Sequence, residues 1–86
     1  MPVPYPSQLI PQVLTSTNSV DTLPNYYIWA TISNDGAGNA TITWAGGNVL
    51  TLLPGKSITL PYTSSVYGAT TIDSTTPTTV RVVYLL

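Results

Sequence analysis

Residues 26–63 read YYIWATISNDGAGNATITWAGGNVLTLLPGKSITLPYT, and their reading decides the fold. In YYIWATIS (26–33), Tyr26, Ile28, Ala30 and Ile32 fall on one face of an extended chain. Tyr27, Trp29, Thr31 and Ser33 fall on the other, the period-two signature of a strand. NDGAGN (34–39) is turn chemistry, because Asn, Asp and Gly tolerate left-handed backbone. ATITWA (40–45) alternates again, with Ala40, Ile42 and Trp44 in register. Gly46-Gly47 is a two-residue hairpin signal. NVLTLL (48–53) returns, PGK (54–56) turns, and SITLPYT (57–63) sets Ile58, Leu60 and Tyr62 on one side. Pro61 places that strand at a sheet edge or marks a bulge, since proline cannot donate to a central ladder.

A two-residue turn at Gly46-Gly47 sets Trp44 opposite Val49 and Ile42 opposite Thr51. Leu50 and Leu52 then share a face with Thr41 and Thr43, so both faces of that hairpin are partly apolar. An antiparallel sheet needs only one buried face. Two readings follow: a slipped register or bulge, or an outer face covered by the N-terminal segment or a neighbouring subunit.

Downstream, TTID (70–73), the loop STTPT (74–78) and TVRVVYLL (79–86) add two more strands. Asp73 and Arg81 lie symmetrically about Pro77, which predicts a cross-strand pair on the solvent face of a last hairpin. VVYLL is predicted to be an ordered, buried strand, because an exposed β-prone apolar tail invites aggregation. Six evenly spaced strands without helical periodicity, and a seventh at 12–17, predict an all-β chain. The expected architecture is a small antiparallel β-sandwich or jelly-roll-like barrel of about six to seven strands.

Residues 1–25 hold Pro2, Pro4, Pro6, Pro11 and Pro24. Proline fixes extended backbone and prevents helix. Between the prolines stand Val3, Tyr5, Leu9, Ile10, Val13 and Leu14, residues in which disordered linkers are poor. The segment therefore reads as an extended arm (1–25) preceding a β-domain (26–86). Val3, Tyr5, Leu9 and Ile10 are its expected anchors on a surface outside the domain.

The chain has 86 residues, a single small domain. At that size folding buries only about 60% of the unfolded surface, so stability is marginal. Cysteine and histidine are absent, which removes disulfides and the commonest transition-metal ligands. Association with a partner is the remaining support, and a homo-oligomer, a trimer, is expected. Charged residues make up 6% of the sequence, where a soluble domain carries roughly a quarter. The five are Asp21, Asp35, Lys56, Asp73 and Arg81, for a net charge of −1. That balance offers no footprint for a phosphate backbone, so no nucleic-acid partner is expected. No run has the length of a membrane span, and MPVPYPSQ lacks the features of a secretion signal. Edge strands are usually guarded by lysines or inward charges. A single lysine, in a turn, leaves these edges to a partner.

Catalysis has little to draw on. Histidine, cysteine and glutamate are missing, and with them the common general bases and the thiol nucleophile. No enzyme activity, cofactor or metal is expected. NDGAGN offers oxygen donors beside glycines but one carboxylate, whereas calcium loops need several. The aromatic residues are Trp29, Trp44 and six tyrosines. Trp44 reads as core, while Tyr27 and Trp29 read as interface contacts, where amphipathic aromatics gather. A flat row of rings would instead suit a stacked sugar.

ISNDGAGNATITWAGGNVLTLLPGKSITLPY (32–62) and VRVVYL (80–85), behind a proline-rich arm, resemble the small β-sandwich structural proteins of tailed-phage virions. The resemblance implies a capsid decoration (cement) protein, which binds and stabilises the major-capsid lattice at the particle surface after synthesis in the host cytoplasm. It implies, second, a neck or tail-fibre attachment protein. From a different class comes a receptor- or carbohydrate-binding β-module, and from a third an adhesin completed by strand donation.

Overall fold

The computed structural model describes residues 10–24 and 26–86, and the anchors Val3, Tyr5 and Leu9 lie outside them. Eight strands are formed: β1 (Gln12–Thr17), β2 (Val20–Leu23), β3 (Trp29–Asn34), β4 (Ala40–Trp44), β5 (Val49–Leu52), β6 (Ser57–Leu60), β7 (Thr70–Asp73) and β8 (Thr79–Leu85). They make two four-stranded antiparallel sheets, ordered β1-β8-β3-β6 and β2-β7-β4-β5. The pairs β4–β5, β3–β6, β2–β7 and β1–β8 nest around one central turn. The chain is thus a single long hairpin rolled into two sheets, which is the jelly roll.

The central turn is not the two-residue type. Trp44 N–H donates to Asn48 O at 2.9 Å and Gly47 N–H to Trp44 O at 2.8 Å, so Ala45, Gly46 and Gly47 form a three-residue loop. Gly47 has φ of 84°, the left-handed residue that such a loop needs. The register moves by one, and Ile42 faces Leu50 while Ala40 faces Leu52. A one-residue slip moves every side chain to the other face. Leu50 and Leu52 therefore turn inward beside Ile42, and Thr41, Thr43 and Thr51 turn out. The hairpin's inner face is apolar and its outer face carries threonines with a single exposed valine, Val49, so the corrected register no longer calls for a cover.

Alternation holds along β3, where Ala30, Ile32 and Asn34 are buried. It fails just before, because Tyr26 adopts φ of 71° and reverses the pattern. Tyr27 is consequently fully buried, which corrects its expected place at an interface. Its hydroxyl shares a 2.8 Å hydrogen bond with Thr70 Oγ1, and its ring stacks on Tyr67 with centroids 5.0 Å apart. Tyr27 belongs to one buried cluster with Leu23, Ile32, Ile42, Leu52, Ile72, Val80 and Val82.

The segment 1–25 is not an independent arm where it is described. Gln12–Thr17 pairs with β8 and Val20–Leu23 with β7, so these residues are edge strands of the two sheets. Ser16 points inward and bonds Ser74 Oγ at 2.8 Å. A hydroxyl pair stands where an apolar side chain would have advertised the strand.

β7 and β8 do not form a hairpin. STTPT carries the chain from one sheet to the other. Asp73 lies opposite Val20 and Thr41, and Arg81 opposite Thr15 and Ser33. Arg81 Nε instead approaches Asp35 Oδ2 at 3.5 Å, an exposed pair contributing about 0–1 kcal/mol. β8 is an ordered central strand, as expected, with Val80 and Val82 buried. Val83, Tyr84 and Leu85 are only half-buried and Leu86 is exposed, so the expected burial of VVYLL holds for Val82 alone. Pro61 ends β6 at the sheet edge, also as read.

Candidate interaction surface

Four strand ends of the first sheet meet at one end of the sandwich. Pro11 precedes β1, Leu85 ends β8, Trp29 begins β3, and Tyr62 follows β6. Antiparallel pairing brings these ends together: Trp29 lies directly opposite Leu85. Ile28 N–H donates to Leu85 O at 2.8 Å, fixing the entry to β3. Tyr67 Oη donates to Pro61 O at 2.6 Å, fixing the leg that carries Tyr62. The result is an open groove of about 580 Å³ lined by Pro11, Ile28, Trp29, Tyr62 and Leu85.

Its chemistry is apolar. The lining has no charged or amide side chain, and the Tyr62 hydroxyl and Trp29 indole N–H are its side-chain polar groups. Tyr62 is 64% exposed, and Ile10, Val13 and Leu86, next to lining residues in sequence or one removed, are at least as open as 60%. On the outer face the apolar character reaches only Val13 and Val83; the same row runs on through Thr31 and Thr59, and the next is Thr15, Arg81, Ser33 and Ser57. Exposed apolar surface gathered in one place is the mark of an interaction site.

The outer face of the second sheet is different. Thr22, Thr71 and Thr43 stand side by side across three strands, ending on Val49. In the next row Thr41 lies between Asp73 and Thr51. Exposed Val20 and Val49 stand at the two edges of this face. Between them it bears hydroxyls and Asp73, and it hydrates more readily than the groove.

Asp21 and Asp73 are the titratable groups with displaced acidity. Asp21 is held below the usual carboxylate range by the Ser19 hydroxyl, then by Ser16. Asp73 is held down by the Thr75 hydroxyl and backbone N–H. Both are hydrogen-bonded acids near strand ends, in β2 and β7, and neither lines the groove. The described residues contain no group of three or more His, Cys, Asp or Glu side chains. NDGAGN is a structural turn: Asn34 Nδ2 donates to Gly38 O and Leu52 O, both at 2.8 Å. Its Oδ1 accepts from Thr78 Oγ1 at 2.7 Å and Gly36 N–H at 3.2 Å.

Of the expected contact residues, Trp29 is in the groove and Ile10 is exposed beside it. Tyr27 is in the core. Pro11, Ile28, Tyr62 and Leu85 were missed, because each lies at or beyond a strand end, where alternation gives no direction. Pro61-Tyr62 was the available signal: an aromatic residue carried past an edge strand that proline has just ended.

No protein-family model and no curated protein matches the sequence. Solved structures do match the fold. One is described as ethanolamine utilization protein Q of Salmonella typhimurium LT2, at 15% identity and a TM-score of 0.54, covering 92% of this chain. The chain spans 57% of the length of that structure. Another is a de novo designed double-stranded β-helix, at 14% identity and a TM-score of 0.53, covering 88% of this chain and 96% of the design. The likeness places the chain among double-stranded β-helices, an architecture that serves capsid domains, lectins and cupins alike. Function must then be argued from the surface.

Proposed function

We propose that the protein is a non-enzymatic structural component of a tailed-phage virion, a decoration protein that binds the major-capsid lattice. The groove carries this reading: an open, apolar, aromatic-walled surface at one end of the sandwich. Trp29 and Tyr62 supply rigid contact area of the kind that dominates protein interfaces. The sparse charge of the chain supports a protein that works seated on another surface, since free monomers rely on charge for colloidal stability. Individually weak contacts suffice on a lattice, because attachment at one site raises the effective concentration at the next. The jelly roll supplies the rigid body, with its interior filled by side chains. A homo-oligomer seated at capsid-subunit junctions is the form proposed.

A stacked sugar is the second reading, favoured by the presence of Trp29 and Tyr62 in one groove. It would need amide or carboxylate partners for the sugar hydroxyls, which the lining lacks. Co-sedimentation of the purified protein with undecorated particles tests the first reading. Trp29→Ala and Tyr62→Ala should abolish co-sedimentation while leaving the strand spectrum intact. Binding that survives both substitutions refutes the groove as the seat. Saturable quenching of Trp29 by a free oligosaccharide would favour the sugar.

A further inference from the structure

We propose that the groove is a receptor for the proline-rich segment 1–9 of a second copy of this chain, so that copies link by exchanging these segments. The occupant is suggested by what the groove is made of and by what leads into it. MPVPYPSQL alternates Pro2, Pro4 and Pro6 with Val3 and Tyr5 and carries no charged side chain. Proline-rich segments dock in aromatic-lined grooves because their backbone is already extended and little entropy is lost on binding. Trp29, Tyr62 and Pro11 provide such walls, equally without charge.

The segment joins the described chain at Ile10, one residue from Pro11, a lining residue. Nine residues of polyproline-type backbone reach about 28 Å. The groove crosses four strands, a width of about 14 Å at the usual strand spacing. Reach is therefore ample. Return into its own groove would require a sharp reversal at Ile10, yet the residue before a proline is confined to extended conformations. Pro2, Pro4 and Pro6 impose the same restriction on Met1, Val3 and Tyr5, and residues 1–24 contain no glycine to relieve it. A segment restricted in this way favours a neighbour's groove over its own. The contact is heterologous, groove to segment, and closes into a ring when the rotation between copies permits. Segment and lattice compete for this one groove. The segment fills it in the free protein and yields it on a particle. Self-association of the free chain therefore tests the exchange separately from the capsid seat, and the form lacking residues 1–9 should still co-sediment with particles.

The test uses the full chain, a form lacking residues 1–9, and a synthetic MPVPYPSQL peptide. Sedimentation equilibrium should show the full chain self-associated at micromolar concentration. Both the shortened form and full-length Trp29→Ala should be folded monomers. Tyr62→Ala serves as the second variant if Trp29→Ala fails to fold. The peptide should bind the shortened form and shift its tryptophan emission, and the shift should vanish in a Trp29→Phe version. A Tyr5→Ala peptide should bind at least tenfold more weakly. A monomeric full chain overturns the exchange. If that monomer also rejects the peptide while the shortened form accepts it, the segment docks in its own groove. An oligomer that persists without residues 1–9, or a peptide that produces no shift, equally refutes the proposal.

Discussion

Replacing Asn34 by alanine should cost part of the stability of the fold. Asn34 is 1% exposed at the end of β3, and its side chain closes the turn 34–39 from inside. Four hydrogen bonds end on it. Those to Gly38 O and Gly36 N–H are near solvent, and water can replace them. Those to Leu52 O and Thr78 Oγ1 are buried, and water cannot. Leu52 O keeps its ladder partner on β4, because Ala40 and Leu52 form a hydrogen-bonded pair. Thr78 Oγ1 is left without a partner, at a cost of about 1–3 kcal/mol. A domain of this length has a total stability of about 4–13 kcal/mol at the usual contribution per residue. With a urea dependence of about 1–2 kcal/mol per molar for a small protein, the midpoint should fall by about 0.5–3 M at unchanged slope. Asn34→Asp is the control, retaining the acceptor for Thr78 but losing both donors and burying a charge. It should be no more stable than the alanine variant. Urea melts followed by tryptophan emission measure both. An alanine variant within about 0.5 kcal/mol of wild type, the range of an ordinary surface change, would refute the idea that the side chain holds the turn.

Gly36→Ala should destabilise strongly, because a Cβ there would overlap Thr79 N and the Thr78 side chain; a urea midpoint equal to wild type would contradict the close approach. Removing Tyr84–Leu86 deletes pairings of a central strand with both neighbours, Tyr84 with Gln12 and Ala30 among them. The truncated chain should be insoluble, and a soluble, folded product on gel filtration would count against it. Asp21 and Asp73 lose their donors on unfolding, so the unfolded chain takes up protons first as pH falls. Their contribution is complete above the ordinary aspartate value of about 4 and is lost as pH drops through the depressed folded values. Urea midpoints should thus decline on acidification across that window. Asp73→Asn should flatten the decline, and a midpoint that rises instead reverses the sign.

Strand placement from 29 to 60 was legible because alternation and turn residues agree there. The strand β8 was equally plain, since VRVVYL admits no other reading. What escaped depended on partners far off in sequence. Gly46-Gly47 fits a two-residue turn, and only the packing of Leu50 and Leu52 beside Ile42 selects the three-residue loop. β2 was invisible because VDTL offers one buried side chain, Leu23. Tyr27 could not be placed without the left-handed Tyr26 before it. Asp73 and Arg81 looked like a hairpin pair because two strands flank a short loop, yet the rolled topology sends that loop across the sandwich. Trp29 was recognisable as a contact residue by type. The groove itself was not, since it is assembled from four strand ends whose meeting is a property of the roll.

Quantifying the protein on purified phage particles, for the wild-type chain and for Trp29→Ala and Tyr62→Ala, is the most direct test of docking through the groove. Wild type should be present in fixed proportion to the major capsid protein. Both variants should be missing from particles while remaining folded in the lysate. A protein absent from particles, or variants retained at the wild-type proportion, would contradict it.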